Sequence, residues 1–191
     1  MKIGNYSVTI PEGREYQENG ATYVALQDEQ EFTIHFDGPR NSRAGCKIWM
    51  NGEPIHGPGW VMTFNDDPCT LKRPANSDEG FQFFKTTGLG KNLGAQSVDP
   101  EKRGLIRIEI RPEIPENLKY QANTRSLFSN TRGSSSGVAG TSGKATGQKF
   151  GVTTLGNTSE PIIFLFRLVA EYINSPRVFG VQSAYPTPVQ D

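Results

Sequence analysis

The sequence predicts an all-β protein, an antiparallel β-sandwich built as a single jelly roll with long loops rich in Gly, Ser and Pro. Three observations predict this class. The 21 Gly and 13 Pro residues together make 34 of 191, about 18%, and both residue types break helices. Apolar and polar residues alternate in several segments, as they do in strands with one buried face. About ten such segments are separated by turn-forming residues.

Three segments carry the strongest strand signals. Residues 104–111 place three isoleucines on one face and Arg, Glu and Arg on the other. Residues 31–36 repeat this alternation with Phe, Ile and Phe. Residues 162–170 are apolar on both faces, a pattern that leaves a short buried helix open, but they are rich in Ile, Phe and Val, which favours a central strand. Further predicted strands are 6–10, 21–27, 46–51, 59–64, 69–73 and 80–85.

The chain length fits one domain, which we predict to span residues 1–182. The dipeptide Asn51-Gly52 predicts a tight hairpin turn after the strand at 46–51. Residues 129–147 are dominated by Gly, Ser and Thr and predict either a flexible loop or a loop that is ordered only by a neighbour. Residues 183–191, with Pro186 and Pro188, predict an extended C-terminal tail.

Charge and targeting signals limit the partners. Lys and Arg total 20 and Asp and Glu total 20, so the net field attracts neither nucleic acid nor an anionic membrane. We expect no signal peptide, since the start lacks an apolar stretch, and no membrane span. Cys46 and Cys69 are expected to be small buried residues, although a bridge between them stays open. Synthesis is expected inside the cell.

The sequence favours neither an enzyme nor a metalloprotein. His35 and His56 lie in different predicted elements, with no Cys or carboxylate cluster at ligand spacing. No serine has the context of a nucleophile elbow, and two histidines offer few candidates for a general base. We therefore expect no catalytic residue, no metal and no cofactor.

Two features suggest binding. Trp60 alternates with Met62 and Phe64 and is expected in the core, which leaves Trp49, together with the outward-facing His35, as the candidate for an exposed aromatic platform. Charge is also segregated along the chain. Residues 1–37 hold seven acids against two cations, whereas residues 117–159 contain no acid and include Arg125, Arg132, Lys144 and Lys149. Between copies of the chain, an acidic edge facing a basic loop would steer association.

Several short motifs occur together in order. They are Asn51-Gly52-Glu53 to Trp60, Leu71-Lys72-Arg73-Pro74 before Phe81-Gln82-Phe83, residues 104–111 with Pro112-Glu113, residues 140–150 ending in Gln148-Lys149-Phe150, and Phe164 to Val169. In this combination the chain resembles a family of small β-rich proteins encoded by large DNA viruses of algae and found in some protists. The resemblance spans about residues 20–170.

The resemblance implies a structural virion protein, either a capsid vertex (penton) protein or a minor capsid component, made in the host cytoplasm. It implies that the partners are copies of the same chain, most simply five in a ring, and neighbouring capsid proteins. Arg73, Arg111, Gln148 and Phe150 are the candidate interface residues under this interpretation. A function of another class stays open, namely a β-sandwich recognition module that binds glycan or protein through Trp49.

Overall fold

A computed structural model describes residues 1–55, 59–87, 98–114, 137–141 and 143–171, and every regular element in these ranges is a β-strand. The all-β prediction is therefore confirmed for the described chain. The strands in the first half are β1 (Lys2–Ile3), β2 (Tyr6–Thr9), β3 (Arg14–Glu18), β4 (Ala21–Leu26), β5 (Glu31–Phe32), β6 (Ile34–Asp37) and β7 (Ser42–Met50). The remainder are β8 (Glu53–Pro54), β9 (Trp60–Phe64), β10 (Cys69–Leu71), β11 (Phe81–Lys85), β12 (Leu105–Pro112), β13 (Gly137–Gly140) and β14 (Ile162–Ala170).

The strands form two layers. One layer is a seven-stranded sheet in the order β3-β4-β14-β12-β7-β8, with β9 also paired to β7. The other layer contains a four-stranded sheet, β1-β2-β6-β10, and a three-stranded sheet, β13-β11-β5. Only Thr33 separates β5 from β6, so these two small sheets follow each other along one extended segment.

Alternating side chains from both layers meet in one core. In β12 the inward residues Ile106, Ile108 and Ile110 are fully buried, and they join Phe164 and Phe166 of β14. The small sheets contribute inward residues of β2, β6, β10 and β11 to the same cluster. Burial of this apolar surface is the main force that holds the layers together. The arrangement is that of a β-sandwich.

One strand pair differs from the predicted antiparallel arrangement. β4 and β14 run parallel, with Tyr23 opposite Arg167 and Leu26 opposite Ala170, so the seven-stranded sheet is mixed. A parallel pair needs a long crossover instead of a tight turn. Alternation within each strand is the same for both directions, so the sequence pattern carries no information on this point.

The strands at 104–111 and 162–170 are confirmed as β12 and β14, and the segment 31–36 is confirmed with a break at Thr33. The predicted hairpin is also confirmed, because Asn51 and Gly52 both have positive φ and connect β7 to β8. β3 was not predicted. Its side chains are mostly exposed and do not alternate, and it is held by a second Asn-Gly turn at Asn19-Gly20, which also has positive φ values.

Part of the segment predicted as a flexible loop is hydrogen-bonded to the small sheets. β13 pairs with β11, for example Val138 with Phe84, and Val138 is buried. After it, Gly143 N donates to Gly80 O at 3.0 Å and Lys144 N donates to the Glu31 carboxylate at 2.6 Å. The small residues of this segment pack closely on β11, which composition alone does not reveal. Residues 129–136 lie outside the described residues.

Residues 143–160, which we name the strap, connect the two layers around one side of the sandwich. At its start the strap is bonded to Gly80 and Glu31 in the small-sheet layer. At its end Ser159 N donates to Pro112 O at 2.9 Å, at the end of β12. Between these points Leu155 lies over Gly45 of β7, where a Cβ atom would come within 2.9 Å of Leu155 Cδ2. Gly45 therefore leaves the space that the strap occupies.

In the described part of the chain, no helix is long and apolar enough to cross a membrane. The predicted tail at 183–191 lies outside the described residues.

Candidate functional site

Three of the four predicted interface residues meet in one cluster, where the strap contacts β10 and the loop that follows it. Arg73 is 9% exposed and follows β10. Its guanidinium donates to the carbonyl oxygens of Pro74 at 3.0 Å and Ser77 at 2.6 Å, and also to Gln148 O. The Arg73 Cζ lies 4.9 Å from the centre of the Phe150 ring. The guanidinium thus joins the loop after β10 to the strap.

Gln148 attaches the strap to the edge of β10. Its Oε1 accepts from Lys72 N at 2.8 Å, and its Nε2 donates to Thr70 O at 2.7 Å. An amide side chain offers one acceptor and two donors, so it imitates the two hydrogen bonds of a neighbouring strand. We name Arg73, Gln148 and Phe150 the strap cluster. Apart from Arg73 Nε, which is buried with no hydrogen-bond partner among the described residues, their side-chain polar groups bond within the chain.

Arg111, the fourth predicted interface residue, lies apart from the strap cluster on the outer face of the seven-stranded sheet. It is 45% exposed, and its Nη2 is 3.7 Å from Glu109 Oε2. Glu109, 11% exposed, also accepts a hydrogen bond from Arg107. The three side chains alternate along β12 on one face, so the two cations enclose the carboxylate.

Trp49 lies on this same outer face, half-buried on β7 and directly opposite Arg107 of β12. The Arg107 Cζ is 4.5 Å from the centre of the Trp49 ring, which is cation–π distance. Directly opposite positions in an antiparallel pair bring side chains together. Trp49 therefore points outward, but it is half-buried, with a cation already against its ring.

A shallow groove of about 220 Å³ opens beside this pair, lined by Trp49, Gly52, Leu105 and Arg107. Gly52 belongs to the Asn-Gly turn, and the side chain of Lys102 lies close against it, with Cδ 2.6 Å from where a Cβ would stand. A side chain at position 52 would meet this stem. We name Trp49, Gly52, Leu105 and Arg107, with Lys102 at the rim, the Trp49 groove.

The other aromatic candidates lie elsewhere. Trp60 is 9% exposed on the inner side of β9, as predicted. His35 is on β6 in the other layer, opposite Thr70, with inward-facing Ile34 and Phe36 on either side. Since both His35 and Trp49 point out of the sandwich, they lie on opposite surfaces. His56 is outside the described residues.

The described chain has no group of three or more His, Cys, Asp or Glu residues placed to hold a metal ion. Cys46 and Cys69 are free thiols. Cys46 faces the core, and burial, with a smaller contribution from the Cys69 charge, raises the pKa of its thiol well above the usual range. The Cys69 Sγ is 3.3 Å from Met62 Sδ, and burial raises its pKa as well. Both thiols are kept protonated by the apolar surroundings.

Several acids of the N-terminal segment have a defined local role. The Glu12 carboxylate accepts from Thr33 N at 3.0 Å, and that of Asp28 accepts from Lys85 N at 2.7 Å. Glu31 accepts from Lys144 N, so the acidic segment meets part of the basic one inside a single chain. These carboxylates satisfy backbone N–H groups that follow β5, end β11 and begin the strap.

Comparisons of the chain with models of protein families, with curated proteins and with solved structures found no match. Function is therefore inferred from the surfaces just described and from the sequence motifs. Arg107 and Lys102 of the Trp49 groove were not among the predicted site residues. The alternation of 104–111 placed Arg107 outward, but its neighbour across the sheet depends on the pairing of β12 with β7.

Proposed function

We propose that the protein is a structural virion component, a capsid vertex or minor capsid subunit that assembles by symmetric self-association. The motif resemblance supports this proposal, and the two-layered sandwich with a shared core is the kind of wall that such a subunit needs. The single jelly roll is part of the proposal. A jelly roll of this chain would differ from an all-antiparallel one in the parallel pairing of β4 with β14.

The observation that carries the proposal is the pair of lateral edges of the seven-stranded sheet. Within the described ranges, β3 pairs only with β4, and β9 pairs only with β7. In the same ranges, β3 and, beyond Trp60, residues 61–64 of β9 present backbone donors and acceptors that a strand from another copy can extend.

Charge favours pairing between unlike edges. β3 carries Glu15 and Glu18 against Arg14, so two β3 edges from different copies would place two strands of net negative charge side by side. β9, with the sequence WVMTF, has no charged residue. A contact of β3 with β9 is heterologous, and contacts of this type close into a ring when the rotation between copies permits. A ring of five copies at a capsid vertex is the assembly that we propose.

Proline variants on β3 test this contact. Successive N–H groups of an edge strand alternate between the neighbouring strand and the free side. One of Gln17→Pro and Glu18→Pro therefore removes only a free N–H, and this variant should keep the wild-type thermal transition while losing assembly. The solution mass, measured by light scattering over a concentration series with negative-stain images, reports assembly. If Gln17→Pro and Glu18→Pro both fold and both still form the wild-type oligomer, the β3 contact is disproved.

The virion role requires a second measurement. The protein should be found by mass spectrometry in purified particles of the virus that encodes it, at a constant ratio to the major capsid protein. A wild-type chain that stays monomeric at high concentration and is missing from particles would overturn the proposal.

Arg111 stays the predicted interface residue with an exposed side chain. We expect Arg111→Ala to weaken assembly without changing the thermal transition, because its contact with Glu109 is long and partly exposed. Arg73, Gln148 and Phe150 are proposed to influence assembly through the position of the strap. Equal assembly of wild type and Arg111→Ala would remove Arg111 from the interface.

A second function is favoured by one observation, the Trp49 groove. The groove combines an outward-facing aromatic ring, a cation and the apolar side chain of Leu105 on a sheet, which is an arrangement suited to ligand recognition. As a recognition module, the lone chain should bind glycan or protein. A broad glycan array that gives no signal, or one whose profile is unchanged by Trp49→Ala, would count against this function.

A further inference from the structure

The lining of the Trp49 groove is chemically mixed. The indole ring of Trp49 and the aliphatic side chain of Leu105 offer apolar surface. The guanidinium of Arg107, which lies over the Trp49 ring, is 35% exposed. A guanidinium that stacks on an aromatic ring still presents N–H groups along its edge, and this edge matches the two oxygens of a carboxylate.

The charges around the groove favour an anion. Glu109 is the acid bonded to Arg107, and it is enclosed by Arg107 and Arg111. Lys47, exposed and opposite Glu109 on β7, and Lys102 at the rim add two more cations. Glu53 is paired with the inward-facing Met50, so it belongs to the other face of the sheet and not to the face of the groove. The groove therefore has an excess of positive charge on its open face.

Its size limits the ligand. A volume of about 220 Å³ is below the roughly 300–1,000 Å³ of pockets that enclose a drug-sized molecule. The groove thus accommodates a single ring with one substituent. Since it lies on an open sheet face, that ring can belong to a longer chain that continues into solvent.

We propose that the Trp49 groove binds one acidic sugar residue, with the apolar face of the pyranose against Trp49 and the carboxylate on Arg107. This proposal rests on the second candidate function, recognition of a ligand by the lone chain, and is independent of self-association. A ligand of about 13 non-hydrogen atoms at an ordinary binding efficiency per atom gives a dissociation constant of about 1 mM. Multivalent display would raise the apparent affinity.

The test titrates the full chain with the methyl glycosides of glucuronic acid, galacturonic acid and glucose, and with glucose 6-sulfate, at 150 mM salt. Two-dimensional NMR follows the indole N–H signals, because the two tryptophans differ in exposure and only Trp49 should shift. We expect both carboxylated sugars to bind at least tenfold more tightly than glucose and the sulfated sugar.

Variants assign the site. Trp49→Ala and Arg107→Ala should each weaken binding of the carboxylated sugars at least tenfold, and Arg107→Lys should recover only part of the loss because ammonium lacks the two-pronged edge. Arg14→Ala is the matched control. Arg14 also lies over an aromatic ring, that of Tyr16 at 5.5 Å, but on β3. Trp49→Phe retains a ring and checks that loss in Trp49→Ala does not come from unfolding.

The outcomes separate the two levels of the proposal. If glucose binds as tightly as the acidic sugars at Trp49, recognition stands and the acidic ligand is overturned. If the sulfated sugar matches them, charge attraction without carboxylate geometry explains the binding, and the proposal also fails. If no sugar shifts the Trp49 signal, and a glycan array also gives no signal, both the acidic ligand and glycan recognition are excluded.

Discussion

Arg73 and Arg107 both lie against aromatic rings, and their surroundings differ in every other respect. Arg73 Cζ is 4.9 Å from the Phe150 ring and Arg107 Cζ is 4.5 Å from the Trp49 ring. Arg73 is buried and donates to three backbone carbonyls beneath the strap. Arg107 is partly exposed, shares Glu109 with Arg111 and borders an open groove.

The contact between cation and ring therefore does not decide the role of the arginine. What decides it is where the remaining N–H groups point. Those of Arg73 hold irregular backbone in place, so its removal leaves buried carbonyls without donors. Arg107 sits on a regular strand whose backbone is already paired, so the N–H groups that it does not use for Glu109 are available for a ligand. The substitutions that follow separate these two roles.

The largest effect is expected for Arg73→Ala. Loss of the guanidinium leaves the carbonyls of Pro74, Ser77 and Gln148 unsatisfied, which should lower the free energy of unfolding by about 3 kcal/mol. Urea denaturation measures this change. Arg14→Ala, at an exposed arginine over Tyr16, serves as the control and should change stability by less than about 0.5 kcal/mol. Equal losses for the two variants would contradict the distinction.

Gln148→Ala removes the two hydrogen bonds between the strap and β10 and should cost about 1–2 kcal/mol. The effect is also local. Amide hydrogen exchange at Lys72 should accelerate, whereas exchange in β12 should not change. Gln148→Glu keeps the acceptor for Lys72 N but loses the donor to Thr70 O, so it should protect Lys72 while still destabilising the protein. Unchanged exchange at Lys72 in the alanine variant would show that the strap does not depend on this amide.

The buried thiol of Cys46 makes the free energy of unfolding depend on pH. Cys46 faces inward on the same strand as Trp49, and its raised pKa means that the folded chain keeps a proton that the unfolded chain loses above the ordinary thiol value of 9.0. Stability should therefore be unaffected by this group below pH 9. Above pH 9 it should fall by about 1.4 kcal/mol per pH unit.

Cys46→Ala should remove that part of the alkaline loss, as measured by urea denaturation between pH 8 and 10. Cys69→Ala is the matched variant, and it should remove less because Cys69 is only half-buried. A pH dependence that is identical in wild type and Cys46→Ala would show that the Cys46 thiol ionises in the folded chain.

The smallest effect on folding is expected for Arg107→Ala. Glu109 is buried, but Arg111 stays 3.7 Å from its carboxylate, so loss of the Arg107 hydrogen bond should lower the free energy of unfolding by about 1 kcal/mol. If Arg107→Ala destabilises the protein as much as Arg73→Ala does, the groove arginine is also structural, and the comparison fails. Thermal denaturation of both variants in one buffer gives the answer.

Much of the fold was predictable because buried strands impose alternation. The isoleucines of β12 and the phenylalanines of β6 identify their own inner faces. β3 lacked this signal because neither face is buried, yet Asn19-Gly20 is the same turn dipeptide as Asn51-Gly52 and could have revealed its hairpin. The direction of β14 beside β4 depends on the crossover, which leaves no mark in a two-residue period.

The site was predictable only in part. Trp49 was identified because Trp60 was assigned to the core, and that assignment is confirmed. The partner of Trp49 was missed because Arg107 is distant in sequence and becomes its neighbour through strand register. The gathering of Arg73, Gln148 and Phe150 beneath the strap likewise depends on a long connection whose path the local sequence does not encode.

The parallel pairing of β4 with β14 sets the order of events during synthesis. The hairpin of β3 and β4 leaves the ribosome early, but the strand that connects it to the rest of its sheet ends at Ala170. At ordinary translation rates the interval between Leu26 and Ala170 is roughly 7–30 s. During this time the apolar side chains of β4 have no partner from the later half of the chain. The nascent hairpin thus stays without its sheet neighbour until β14 is made, and a substitution that delays β14 folding would prolong the exposure of β4 near the other end of the chain.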